Sequence, residues 1–341
     1  MRRSICLLTA LLISVCLCAC SPSVPAHTAT FYEAFDTVTV FTAYTDSDDT
    51  FARFRDILTQ ELHTYHRLFD IYQTYEDTPN NLCDINKSAG GEPVSADPRI
   101  ISMLRFGEDM YTHTDGRVNV LLGAVLRLWH TQRDAAAAGN TPALPDDAAL
   151  KEALTHTALS AMTLDTAAGT VQLAAGAALD VGAIGKGFAL EQAAQTLEKD
   201  GCVGILNAGG NVRTLGEKPN GDPWTVRITH TLEDSSPSLD IHVGAHVAVA
   251  TSGDYQRYYT VDGVRYPHII DPATGYPARH MRAVTVVCND AALADALSTA
   301  LFLMPVEEGL SWVDTLNGVE AVYLDNEENW RYSSGFSAYL A

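Results

Sequence analysis

Trp224-Thr225-Val226-Arg227-Ile228, Ser238-Leu239-Asp240-Ile241 and Ala245-His246-Val247-Ala248-Val249-Ala250 follow one another with no helical segment between them. Each alternates in the period-two manner of a strand, one side apolar and the other polar or small. Similar runs over 203–206, 284–287 and 35–44 predict three more strands. Helical apolar spacing instead marks 51–68, 98–110, 186–199 and 293–304. Strands that come in runs, not in strict alternation with helices, predict an α+β fold and argue against a doubly wound parallel sheet. Residues 134–150, rich in Ala, Pro and Gly, read as an exposed insertion. The sequence shows no internal repeat.

The chain has 341 residues, 47% of them hydrophobic, and a mean hydropathy near zero. It can bury a sizeable core and is not disordered as its main state. Twenty-two Lys and Arg against 42 Asp and Glu give a formal charge of −20. Such a chain repels nucleic-acid backbones, which excludes DNA or RNA as a partner. An anionic small ligand would need local help from a metal, backbone amides or a few placed cations. Fourteen Tyr and 24 Gly suit a loop-rich mixed fold better than a helical bundle.

Arg2 and Arg3 precede an uncharged stretch that ends at Cys20. A basic start followed by an apolar run too short to span a membrane comfortably reads as a signal peptide over 1–19. Leu17-Cys18-Ala19-Cys20 resembles a bacterial lipobox, with Cys20 as the lipidated residue. Cys16 is a rival site, and a plain secretory signal is the alternative. On the lipobox reading, 20–30 is the lipidated Cys and a tether, and 31–341 is the folded domain. Two acyl chains on Cys20 would hold the protein at the cell membrane, on the extracytoplasmic face. Cys83, Cys202 and Cys288 have neither metal-binding nor framework spacing and read as buried small hydrophobes. His242 and His246 are spaced like ligands but lie in a strand-like stretch.

Four local signals carry chemistry. Leu179-Asp180-Val181-Gly182-Ala183-Ile184-Gly185-Lys186-Gly187 opens a helix, where free backbone amides and Lys186 could meet a phosphate. It matches neither the P-loop nor the dinucleotide fingerprint, and a tight strand-to-helix turn reads equally well. Asn207-Ala208-Gly209-Gly210-Asn211 follows an apolar strand and suits either a close ligand or a hairpin turn. Ala250-Thr251-Ser252-Gly253-Asp254-Tyr255 is followed by His268-Ile269-Ile270-Asp271-Pro272-Ala273-Thr274-Gly275-Tyr276-Pro277. His268 is there either a general acid/base or a loop residue. In Asp295-Ala296-Leu297-Ser298-Thr299 a carboxylate and a hydroxyl four residues apart share a helical face. That pair suits Mg²⁺, unless Asp295 merely sits in the first turn to complement the helix dipole.

Taken in order, these segments resemble the bacterial FAD:protein FMN transferases, the ApbE-type flavin transferases, which are commonly lipoproteins. The resemblance runs from about Phe31 to the C-terminus. It implies a T-fold-like α+β domain that moves FMN from FAD onto a Thr or Ser hydroxyl of an acceptor protein, with release of AMP. It also implies Mg²⁺ on the side chains of Asp295 and Thr299 and the carbonyl of Ala183, with Ser298 bordering the site. FAD contacts would fall on Asp180, Lys186, Val118, Asn119, Val120 and Ile269. The family's Met-Gly-Thr stands here as Phe35-Asp36-Thr37, which carries a flavin contact to Phe35, and its Gly-x-Phe-Asp stands as Gly116-Arg117-Val118-Asn119.

The transfer brings a hydroxyl to a doubly anionic pyrophosphate, so a metal and well-placed residues are what it needs. His268 or Asp295 would take the attacking proton. Tyr255, Tyr258 and Tyr266 could grip the flavin or adenine. The alternatives are Mg²⁺-dependent hydrolysis of FAD to FMN and AMP at the same site, and a non-catalytic flavin-binding lipoprotein.

Overall fold

The computed structural model describes residues 24–229, 238–255 and 257–340. The first half of the chain runs β1 (Ala26–Ala34), β2 (Thr37–Tyr44), α1 (Asp48–Phe69), α2 (Leu82–Lys87), β3 (Val94–Ser95), α3 (Pro98–His113), α4 (Gly123–Ala137), α5 (Asp147–Leu154), β4 (Met162–Asp165) and β5 (Thr170–Leu173). Next come α6 (Gly185–Lys199), β6 (Gly204–Ala208), β7 (Asn211–Leu215), β8 (Trp224–Thr229), β9 (Ser238–Val243), β10 (Ala248–Gly253), β11 (Tyr259–Val261) and β12 (Val264–Tyr266). The chain closes with β13 (Ala283–Cys288), α7 (Ala291–Phe302), α8 (Val306–Val313), β14 (Glu320–Leu324) and β15 (Trp330–Tyr332).

Eight strands form the main sheet in the order β1-β2-β6-β7-β10-β13-β14-β15, and every pairing in it is antiparallel. The expected α+β class is what the chain adopts. β13 is buried along its whole length because both faces of the sheet are covered there. One face packs on α1, α6 and α7, through Leu58, Leu190, Ala194, Leu297 and Val286. The β8–β9 ribbon lies over the other, placing Trp224, Val226 and Ile241 against Val249 and Val287. α7 is apolar nearly all round, as a helix between a sheet and a second helix must be.

Four segments differ from the sequence expectation. Residues read as a tether enter the fold at Ala26, where β1 pairs with β2 and His27 stacks on Phe51 at 5.1 Å. A Thr-rich edge strand has no apolar run to announce it. Signal peptide and Cys20 lie outside the described residues. The strand expected from residue 35 starts at Thr37, because Phe35 and Asp36 form the hairpin turn with φ of 57° and 49°. The one expected from 245 starts at Ala248, after His246 at φ 58°. Only 138–146 of the expected insertion is loop: the Ala-rich start continues α4, and Asp146 caps α5 by accepting from Ala149 N–H at 2.9 Å. His242 bonds Thr225, and His246 meets Glu198 at 2.8 Å, so they form no ligand pair. Cys83, Cys202 and Cys288 are buried thiols, and burial pushes Cys202 and Cys288 up to about 12.

A buried ion pair ties these layers together. Arg213 of β7 forks onto Glu191 of α6, Nε to Oε2 at 2.9 Å and Nη2 to Oε1 at 3.2 Å. Glu191 Oε2 also accepts the Ala291 N–H at 2.9 Å, joining the start of α7 to the same carboxylate. Burial alone would raise Glu191, but these bonds win and hold it below the ordinary glutamate range. Glu191→Gln should therefore cost about 3–5 kcal/mol at neutral pH, the scale for breaking a buried pair. A carboxylate with a lowered folded pKa stabilises above its unfolded value, about 4.3, and that contribution disappears as the pH falls through the folded value. Urea denaturation at pH 7 should separate the two proteins, and the gap should narrow below pH 4; equal midpoints at pH 7 would refute the assignment.

Candidate functional site

The Gly-rich turn is held from both sides. Asn86 of α2 accepts the Leu179 N–H at 2.7 Å and donates to the Leu179 carbonyl at 2.9 Å. Asp180 N–H reaches the Val120 carbonyl at 2.9 Å, which fastens the Val118-Asn119-Val120 loop to this turn. Val118 and Val120 are buried in the core, and Asn119 is occupied, donating to the Thr157 carbonyl after α5 and accepting the Leu121 N–H. Gly182 N–H caps back onto Asp180 at 2.9 Å.

At the head of α6 one bond is diverted. The Gly187 N–H would regularly close a turn on the Ala183 carbonyl, but it donates to Asp295 Oδ2 of α7 at 2.7 Å. Among the described residues no backbone N–H reaches the Ala183 oxygen in its place. The diversion needs a glycine: a Cβ at 187 would lie 2.3 Å from the Ala291 carbonyl oxygen and 2.4 Å from Asp295 Cβ. Helix α7 is capped by Asp290, so Asp295 lies beyond the first turn and the dipole reading of that residue falls away.

Asp295 is 7% exposed. Burial pushes its carboxyl above the usual carboxylate range, and Lys186, the Asn211 amide and the Gly187 N–H offset this only in part. Burial pulls Lys186 down in turn, against the pull of Asp295 and with a further push from Arg257. Asn211 is buried at the start of β7, and its Nδ2 has no hydrogen-bond partner of regular geometry. Thr299 follows Asp295 by one turn on the same face and is half-buried. Ser298 is fully buried and donates to the Asp295 carbonyl at 2.9 Å while sharing a 2.9 Å bond with Ser252 of β10. Its hydroxyl is thus committed to positioning the helix.

These donors fit a hard divalent cation. A free carbonyl, an under-compensated carboxylate and a hydroxyl one turn away are all oxygen, the set Mg²⁺ prefers when a phosphate ligand completes its shell. Among the described residues no cluster of three His, Cys, Asp or Glu offers a different metal centre.

A cavity of about 420 Å³ opens beside Asp180, lined among others by Ile71, Tyr72, Asn86, Arg127 and His130. Tyr72 Oη and His130 Nδ1 share a hydrogen bond of 3.1 Å. Burial raises Tyr72 and lowers His130, with the Asp180 charge acting on both. Phe35 comes to this region from the β1–β2 turn: its N–H meets His66 Nδ1 at 3.3 Å, and Arg257 reaches its carbonyl at 3.4 Å. Ile269 is buried in the same hydrophobic cluster as Ala294 and Leu297 of α7, with His268 beside it in sequence. Tyr258 and Tyr266 sit elsewhere, the first under the Arg265 guanidinium at 4.3 Å and the second stacked on Trp129 at 5.8 Å. Tyr255 bonds the Thr229 carbonyl at 3.1 Å.

Tyr72, His130, Arg257 and Asn211 were missed by sequence reasoning. Asn211 ended a motif read only for its glycines. An arginine just beyond Ala250–Tyr255 was a signal for the third, while Tyr72 and His130 are distant in sequence and meet only in the fold.

A Gly-rich turn feeding a helix, an isolated buried carboxylate against it and two nearby cations define an α+β protein built for a phosphate-bearing ligand. Comparison with known proteins agrees. A family model described as the ApbE family matches residues 35–323. The chain is 35% identical over 272 residues to the FAD:protein FMN transferase of Treponema pallidum (strain Nichols), covering 74% of this chain and 73% of that one. It is 28% identical over 277 residues to the FAD:protein FMN transferase of Klebsiella pneumoniae (strain 342), covering 79% and 84%. The crystal structure of the ApbE protein from Thermotoga maritima superposes with a TM-score of 0.82 at 28% identity, over 93% of this chain and all 100% of that one. The chain belongs to the ApbE family.

Because a methyl group at 187 collides with backbone and not with a flexible side-chain end, Gly187→Ala should push α6 off α7. Overpacking of this kind costs about 1–3 kcal/mol. Thermal denaturation should show the loss, and added Mg²⁺ should stabilise the variant less than the wild type. Equal Mg²⁺ shifts in both proteins would show that the α6–α7 seam does not shape the cation site.

Proposed function

We propose that this chain transfers FMN from FAD to a Thr or Ser hydroxyl of an acceptor protein, depends on Mg²⁺, and releases AMP. The observation that carries the reading is the diverted Gly187 N–H, which leaves the Ala183 carbonyl open beside the buried Asp295 carboxylate. The acceptor oxygen attacks the FMN-side phosphorus of FAD, the bond from that phosphorus to the AMP oxygen breaks, and the hydroxyl proton passes to a base. His268, in the segment that packs toward α7, is the proposed base. A divalent cation held by Asp295, Thr299 and the Ala183 carbonyl would neutralise pyrophosphate charge and stabilise the departing AMP. Asp180 and Lys186 orient the dinucleotide at the turn, and Phe35, the 118–120 loop and Ile269 border it. The Tyr72–His130 cavity offers a partly aromatic wall to one of its rings.

Asp295→Asn keeps an acceptor for the Gly187 N–H and removes the charge. Incubated with FAD, Mg²⁺ and an acceptor domain, the wild type should raise the acceptor's mass by one covalent FMN, and replacing the acceptor Thr or Ser by Ala should abolish the gain. The variant should be slower by on the order of 10²-fold or more, the worth of several kcal/mol of charge stabilisation, and should lose the Mg²⁺-dependent rise in melting temperature. Conversion of FAD to FMN and AMP with no mass gain on any acceptor would establish hydrolysis instead.

We also propose that Cys20 is lipidated and holds the domain on the extracytoplasmic face of the cell membrane. The basic start, the short apolar run and the Leu17–Cys20 box support this. Detergent phase partitioning should place the processed protein in the detergent phase and Cys20→Ser in the aqueous phase or unprocessed. Equal partitioning would refute the anchor.

A further inference from the structure

Three of the non-glycine residues with positive φ meet at one point. Phe35, Asp36 and Arg257 have φ of 57°, 49° and 44°, and Arg257 Nη2 lies 3.4 Å from the Phe35 carbonyl and 3.5 Å from that of Asp36. Left-handed backbone at bulky residues is strained and survives where the surroundings require it. Most arginines of the described chain pair with a carboxylate, including Arg265 and Arg282, which share Asp254 at 3.3 and 3.0 Å. Arg257 has no such partner among the described residues, and two long contacts to carbonyls leave most of its five donors unspent. It is exposed, and its charge acts on Lys186 and on Tyr72 and His130 of the cavity beside Asp180, so it lies within electrostatic reach of both. In a chain of net charge −20, a guanidinium with no carboxylate partner among the described residues is a charge left available to an anionic ligand. Its planar fork matches phosphate oxygens two at a time.

We propose that Arg257 is the guanidinium clamp on the pyrophosphate of the dinucleotide, reaching over the ligand from the Phe35–Asp36 turn. The assignment rests on the flavin-transferase reading, and it specifies which part of FAD the rim of the site recognises. On binding, the two carbonyl contacts give way to charge-assisted hydrogen bonds to phosphate, and the strained backbone at 35, 36 and 257 keeps the guanidinium in place beforehand.

The test is differential binding to the full folded domain, with FAD, ADP and riboflavin as probes and titration calorimetry as the readout. Arg257→Ala should weaken FAD and ADP by about 10- to 100-fold, the range for losing a charged hydrogen-bonding group, and leave riboflavin within about twofold. Arg257→Lys, which keeps charge and loses the fork, should recover part of the FAD affinity. Equal losses for FAD and riboflavin would mean that Arg257 only supports the Phe35–Asp36 turn and would overturn the clamp, as would unchanged FAD binding in Arg257→Ala or no recovery in Arg257→Lys. A wild-type protein that bound riboflavin but neither FAD nor ADP would instead overturn the flavin-transferase reading and the clamp with it.

Discussion

The absence of a side chain at residue 187 governs the seam between α6 and α7. With a backbone oxygen 2.3 Å from where a Cβ would stand, the two helices approach closely enough for a main-chain N–H of one to reach a carboxylate of the other. That single bond takes a donor from the Ala183 carbonyl, buries Asp295 and sets Lys186 against it. The helix opening keeps an unpaired carbonyl because its own hydrogen-bond ladder is interrupted there.

Two carboxylates buried along this seam have opposite fates. Glu191 accepts a forked guanidinium and a backbone N–H, and its pKa falls despite burial. Asp295 receives one backbone N–H and an incomplete amide contact, and its pKa rises. The difference is one of compensation: the first is saturated and holds layers together, whereas the second retains unmet demand for positive charge. Demand of that kind is what a metal–phosphate ligand can satisfy, so stability and function divide between two carboxylates of one seam, Glu191 one turn after Gly187 and Asp295 bonded to the Gly187 N–H.

Legibility followed the range of the interactions. Helices α1, α3 and α6 and strands β6, β8 and β9 were readable because their burial is periodic, and α7 and β13, buried nearly throughout, because they form apolar runs of helix and strand length. β1 was not, since an edge strand of Thr and His gains its place through pairing with β2. The two left-handed turns at 35–36 and at 246 displaced strand starts that alternation alone put earlier. At the site, the 179–187 turn and the Asp295–Thr299 spacing were legible as local patterns, but their junction through Gly187 was not, because it joins residues 108 positions apart. Tyr72 and His130, 58 apart, carried no pattern at all.

The Phe35–Asp36 turn shows how a departure from the expected Met-Gly-Thr is accommodated. Both turn residues need positive φ, which glycine would supply without cost; Asp at 36 is among the side chains that tolerate it, and Phe at 35 is not. Phe35 is held from outside the turn instead, its N–H on His66 and its ring edge-on to the same imidazole at 5.7 Å. Thr37 then packs so tightly on the Asn207–Asn211 hairpin that a Cβ at Gly209 would fall 1.9 Å from its hydroxyl oxygen. Glycine at 209 thus makes room for Thr37, while Arg257 contacts the Phe35 and Asp36 carbonyls. A hairpin that would be marginal alone is fixed by three separate elements, α1, the β6–β7 connection and the segment after β10. Strain can persist there only because each of the three would lose contacts if it relaxed.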